Sequence, residues 1–166
     1  MPENVRLITD PILRKVCEPA DLVNDPMFIL GLLENMNETM RAENGIGLAA
    51  NQIGFSLRVF ILKREKAYEE YINPEIVSQS DLVDFEGEAC LSIPGAFSKT
   101  KRYAKVSLTW LTRDGTKREG TFSDMQAFAI QHEMDHLNGK LYVDQLGPLK
   151  RDLVISKHRK FLRRKQ

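Results

Sequence analysis

The five residues His132-Glu133-Met134-Asp135-His136 constrain this chain more than any other stretch. Histidines four apart come to one point only on an α-helix, where they sit about 40° apart on a single face. One metal ion can then take both imidazoles, and the glutamate beside the first ligand reads as a general base. A helix must therefore cover this stretch, and the rest of the chain must be able to bury it. Ser123 or Asp124 is available to cap its start, and Gly139 lies where a helix should stop. Two ligands do not complete a catalytic site, so the third decides what kind of site it is.

Elimination narrows the third ligand. His158 is the only other histidine, and it lies among cations that oppose metal binding. The protease pattern H-E-x-x-H-x-x-G-x-x-H keeps its glycine at Gly139 but ends on Tyr142. A His-His-Glu plan lacks its acid, because no glutamate follows Glu133; only Asp135, Asp144 and Asp152 do. Cys90 remains, in EACLSIPG (88–95), just before Pro94-Gly95 where a strand should be ending. A Cys-His-His set binds first-row ions and leaves a fourth position open. Cys17 reads as a small buried apolar residue. Two cysteines make no disulfide framework. Free thiols, with no apolar run of signal-peptide or membrane-spanning length, set a reducing, cytoplasmic location as the expectation, with no membrane contact. An organellar protein stripped of its transit peptide would look the same. From the residues alone two other readings stay open. One is a peptidase with an aspartate as third ligand. The other is an RNA- or ribosome-binding module whose metal is only structural.

The 166 residues, 42% of them hydrophobic, suit one domain covering 1–166. Asp10-Pro11 can open a short helical turn. Asp25-Pro26 opens a helix to about residue 43, with Ile29, Leu32, Leu33, Met36 and Met40 facing inward. GIGLAANQIG (45–54) is too rich in glycine for a regular element. Strands are expected at 57–62, at 70–77 with Pro74 interrupting, and at 105–112 and 116–122 as a hairpin about Asp114-Gly115. A last helix near 148–164 has Leu149, Leu153, Ile155 and Leu162 as its apolar partners. Strands in the middle and helices at the ends indicate α+β. Lys plus Arg (24) nearly balances Asp plus Glu (23), so net charge favours no partner. Its distribution does: 150–166 holds eight Lys or Arg and one acid, Asp152. That basic C-terminal helix suits an anionic partner.

GIGLAANQ (45–52), EACLS (88–92) and HEMDH (132–136), in this order, resemble the three motifs of the peptide deformylases. LRK near the start, the INPEI strand and the overall length extend the resemblance to nearly the whole chain. It implies small antiparallel sheets packed around the HExxH-bearing helix, with a C-terminal helix beyond. It also implies a hydrolase that removes the N-formyl group from formylmethionine at the start of new polypeptides, releasing formate. Cys90, His132 and His136 would hold one divalent ion, Fe2+ in most members, with Zn2+, Ni2+ or Co2+ able to replace it. Glu133 would move the water's proton, while the Gln52 side chain and the Leu91 backbone N–H stabilise charge on the formyl oxygen. Gly45 and Gly47 would give the backbone unusual angles beside an extended substrate. Met125, Phe128 and Ala129 would wall the pocket for the methionine side chain. Arg102 is expected to pair with Asp135, with Glu88 as a further support. The partners implied are N-formylmethionyl nascent peptides and the ribosome, reached through the basic helix; a monomer is expected. Two positions depart from the pattern. Ala89 replaces the usual glycine of E-G-C-L-S, which strains the loop if φ there is positive. Phe97 stands near where many relatives carry an arginine that reaches the peptide.

Overall fold

The computed structural model describes residues 2–65 and 67–165, so Gln166 at the end of the expected basic helix lies outside the described residues. Asp10 opens a short turn, Pro11–Arg14, by accepting from the Ile12 N–H. Helix α1 follows at Pro26–Glu43. Its buried face is Ile29, Leu32, Leu33, Met36 and Met40, together with Asn37 and Thr39. Asn44 ends it in the left-handed conformation, which Asn tolerates.

Among the described residues seven strands come next: β1 Gly47–Ala49, β2 Val59–Arg64, β3 Ala67–Gln79, β4 Leu82–Ala89, β5 Phe97–Tyr103, β6 Lys105–Leu111 and β7 Lys117–Ser123. β1-β2-β3-β6-β7 form one antiparallel sheet, and β4-β5 form a separate hairpin. The glycine-rich segment is thus regular after all: it supplies β1 and then a 3-10 turn, Ala50–Ile53. Pro74 does not end its strand either. β3 runs through it on a register shift between Ile72 and Glu75. A bulge removes the need for the ladder N–H that proline lacks. Asn73, at φ 49°, fixes that bulge by exchanging two side-chain hydrogen bonds with the Ala20 backbone.

Helix α2, Asp124–Leu137, carries HEMDH. Ser123 is its N-cap, without a side-chain bond. Gly139, at φ 70°, stops it: Gly139 N–H donates to the His136 carbonyl and Lys140 N–H to that of Asp135. This is a Schellman ending, which needs a left-handed residue. Strand β2 alternates between two cores. Val59 and Ile61 pack toward α1; Phe60 and Leu62 pack with Ala127, Ile130, Met134 and Leu137 of α2. The large sheet therefore lies between α1 and α2, and the β4-β5 hairpin covers α2 from another side. The architecture is α+β, as expected. Helix α3, Pro148–Arg164, closes the chain. Its inward face differs from the expected one. Leu149 and Leu153 are exposed, whereas Val154 and His158 are buried. A tally of leucines misplaces this face because a histidine takes one of its inward positions.

Candidate metal centre and substrate cleft

Two elements deliver the candidate ligand set. α2 brings His132 and His136, with ring centroids 5.0 Å apart. The turn after β4 brings Cys90. One ligand atom from each of the three lies within 4.8 Å of the others. Cys90 Sγ is 3.3 Å from His136 Nε2.

Electrostatics favour a cation here. His132 Nδ1 lies 2.8 Å from Glu88 Oε1. Burial pushes the Glu88 carboxyl up, but bonds from His132 and Arg102 together outweigh it and hold it at about 2. An ionised carboxylate only accepts, so Nδ1 carries the proton and Nε2 is left free to ligate. Burial, aided by His132, keeps His136 far below the usual imidazole range and therefore neutral, as a ligand must be. Burial also pushes His132 down, yet the Cys90 sulfur and Glu88 push it well above its ordinary value. A divalent cation between thiolate and ring would displace that proton. The donor set thus fits a borderline transition-metal ion, with both imidazoles presenting Nε2.

Glu133 is 3% exposed, between the two histidines and beside Gly47. Burial, the largest influence, raises its carboxyl to about 7. Its Oε2 has no hydrogen-bond partner among the described residues. Gln52 is buried: Oε1 accepts from the Ala49 N–H, and Nε2 donates to Ser92 Oγ at 3.1 Å and Cys90 Sγ at 3.5 Å. The Leu91 N–H donates to no acceptor among the described residues.

These groups border a cleft of about 330 Å³. Gly45, Gly47, Met125, Phe128 and Ala129 all line it. Neither Gly45 nor Gly47 adopts left-handed angles. Gly47 is needed for closeness: a β-carbon there would collide with the Glu133 carboxylate and the Leu62 side chain. Ala89 also lies outside the left-handed region, so its methyl group brings no backbone strain. Phe97 is exposed, with Lys157 Nζ 5.9 Å from its ring centre.

Sequence reasoning missed Phe85. It lines the cleft and stacks on Phe128 with centroids 4.8 Å apart. A lone aromatic among acids, in VDFEGE, was the available signal. The expected Arg102–Asp135 pair forms at 2.7 Å through Nη1, and Arg102 also donates to Glu88 through Nε and Nη2. Thr100 Oγ1 donates a further bond to Glu88.

A metal hydrolase of Cys-His-His type is the class that this fold and site define. The family model of polypeptide deformylases matches residues 2–152. A peptide deformylase of Stutzerimonas stutzeri is 41% identical over 163 residues, 96% of each chain. One from Mesorhizobium japonicum is 39% identical over 164 residues, 96% of this chain and 92% of that one. The crystal structure of a peptide deformylase from Legionella pneumophila superposes with a TM-score of 0.93 at 38% identity, covering 99% of this chain and 98% of the other. The chain belongs to the polypeptide deformylase family. Its activity is that family's: metal-dependent removal of the formyl group from N-terminal formylmethionine. Among the described residues, no helix is long and apolar enough to cross a membrane.

Proposed function

We propose that Cys90, His132 and His136 hold the ion and that Glu133, Gln52 and Leu91 carry out the deformylation. The convergence of the three ligand atoms beside a buried, proton-avid carboxylate carries this reading. When bound, the ion acidifies a water and polarises the carbonyl under attack. Glu133 takes the proton of the attacking water on its carboxylate and passes it to the leaving amine, a task suited to a group poised near neutrality. Charge that develops on the formyl oxygen is met by the Leu91 N–H and by Gln52 Nε2, which turns from Ser92 and Cys90. Excluding water around these donors strengthens each of them. The methionine side chain enters the apolar side of the cleft, against Met125, Phe128, Ala129 and Phe85, with the peptide extended past Gly45 and Gly47.

Iron(II) is the proposed native ion, since a thiolate and two imidazoles suit it; zinc, nickel and cobalt suit the same donors. A thiolate ligand is kept in a reducing compartment, which supports a cytoplasmic location. The proposed unit is a monomer folded as one catalytic domain. All eight cations of 150–166 are exposed, which supports docking of α3 on ribosomal RNA. Arg159→Glu with Arg163→Glu should weaken ribosome binding at low salt, and an unchanged affinity would refute that docking.

The test of the chemistry is formate release from formyl-Met-Ala-Ser by protein purified anaerobically with iron(II) or nickel. Glu133→Ala should lower the rate by roughly 10²- to 10⁴-fold with metal content unchanged. Full activity in that variant, or a folded metal-loaded wild type that releases no formate, would refute the assignment.

A further inference from the structure

Helix α3 also turns an unexpected face to the cleft. His158 is 3% exposed, and its Nδ1 lies 2.9 Å from the Pro94 carbonyl oxygen. A carbonyl only accepts, so Nδ1 carries the proton and donates. The next residue, Gly95, has φ 83°, and a β-carbon there would collide with the Phe161 ring. Val154 shares an apolar cluster with Cys90, Ile93 and Ala96. Pro94, Gly95 and Ala96 are themselves wall of the cleft.

The loop after β4 thus has two separate anchors. Its front part is tied to the body. Ile8 N–H donates to the Ser92 carbonyl at 2.9 Å, Gln52 donates to Ser92 Oγ at 3.1 Å, and Ile93 N–H closes a turn onto the Cys90 carbonyl at 3.0 Å. The rear part, Pro94–Ala96, takes its tertiary hydrogen bond and its ring contact from α3. The metal ligand sits on the front anchor and the substrate wall on the rear one.

We propose that His158 is a positioning residue: its hydrogen bond to Pro94, with Phe161 seated on Gly95, holds the rear wall of the cleft in the shape that binds the formyl-peptide. This rests on reading the cleft as the substrate site. The basic helix and the cleft wall then form one mechanical unit. A partner that pulls on the cations of α3 also acts on Pro94–Ala96, and through them on substrate affinity. The ligands and Glu133 stand on α2 and on the front anchor, so the rate of the bound complex is left nearly untouched.

Steady-state kinetics of the metal-loaded full chain on formyl-Met-Ala-Ser tests this. His158→Leu keeps bulk but removes the donor; His158→Asn keeps an N–H at the position of Nδ1. His158→Leu should raise KM roughly three- to tenfold, the scale of one hydrogen bond, with kcat and metal content nearly unchanged. His158→Asn should recover most of the wild-type KM. Phe161→Ala acts on the same wall through Gly95 and should raise KM in the same way; it carries the test if His158→Leu fails to fold. An unchanged KM in both His158→Leu and Phe161→Ala overturns the proposal. So does a joint fall of kcat and metal content, which would make α3 a support of the fold alone. A wild-type protein that released no formate would instead sink the reading of the cleft, and the proposal with it.

Discussion

Two arginines in this protein are built alike and placed differently. Arg102 grips Glu88 with Nε and Nη2 and reaches a second acid, Asp135, with Nη1. Arg113 grips Glu70 with Nε and Nη2 and reaches a second acid, Glu34, with the same Nη2. The Arg102 side chain is 5% exposed and Glu88 1%, whereas Arg113 is 46% exposed and Glu34 61%. The inner cluster ends on His132, a proposed metal ligand; the outer one ends in solvent. The same hydrogen bonds therefore serve different purposes. Inside, each charge has been taken from water and must be answered by the others, so the set behaves as a unit. Outside, Glu70 is 12% exposed but Arg113 and Glu34 stand in water, which competes for their contacts, and salt screens what remains.

The sharpest way to break this contrast is to remove the acceptor from each. Glu88→Ala leaves the buried Arg102 guanidinium with Asp135 as its one acid and frees the His132 ring. It should lower stability by about 3–5 kcal/mol, and metal affinity by roughly 10- to 100-fold through loss of the ring's orientation. Urea unfolding and chelator competition measure the two. Equal effects from Glu88→Ala and Glu70→Ala would erase the contrast.

Acid sharpens the same point. Glu88 is held at about 2, below its ordinary 4.5. A carboxyl lowered by folding adds stability above its unfolded value, and that stability is lost as pH falls toward the folded one. The wild type should therefore lose stability as pH drops from about 4.5 to about 2, a decline that Glu88→Gln should flatten. A wild-type profile as flat as that of Glu88→Gln would mean that Glu88 is not held ionised.

A smaller effect is expected at the edge of the inner cluster. Asp135 is 27% exposed and binds one arm of Arg102. Asp135→Asn should lower stability by about 1–2 kcal/mol, the scale of a charged hydrogen bond. Metal affinity should hold, because Glu88 still bonds His132 Nδ1. A Kd for nickel that rises as far as in Glu88→Ala would place the support of His132 in Asp135 instead.

How far each cluster could be read in the sequence follows from the same physics. Helical periodicity marked α1, because one buried face repeats every turn, and the HExxH motif with its cap and stop residues marked α2. The spacing of His132 and His136 then put two ligands on one side, and elimination reached Cys90. The β4-β5 hairpin, which joins the inner cluster, left no such trace. β4 exposes all but two of its eight residues, and its one buried side chain is an acid, Glu88. A strand that buries a carboxylate has no apolar alternation to detect; only the partners Thr100, Arg102 and His132, all distant in sequence, make that burial tolerable. His158 escaped for the same reason. It reads as one more polar residue in a basic tail until the Pro94 carbonyl, 64 positions away, is placed against it. What is local in this fold was legible. Of the polar groups that meet distant partners, the Arg102–Asp135 pair was expected, while the bonds of Glu88 to Thr100 and of His158 to Pro94 were not.

The outer cluster sets the lower end of the scale. Glu34→Ala removes a contact of 3.1 Å between two side chains that are each close to half exposed or more. Arg113 keeps Glu70, and Glu34 sits on an exposed position of α1 whose helical backbone does not need it. The change should be about 0.2–1 kcal/mol at low ionic strength and smaller still at high salt. Alanine also favours the helix, which offsets part of the loss. The test is a double-mutant cycle of Glu34 and Arg113 at two salt concentrations. A coupling that stays large in high salt would show that the outer arginine is as sequestered as the inner one. Burial would then no longer explain why only Arg102 behaves as part of a site.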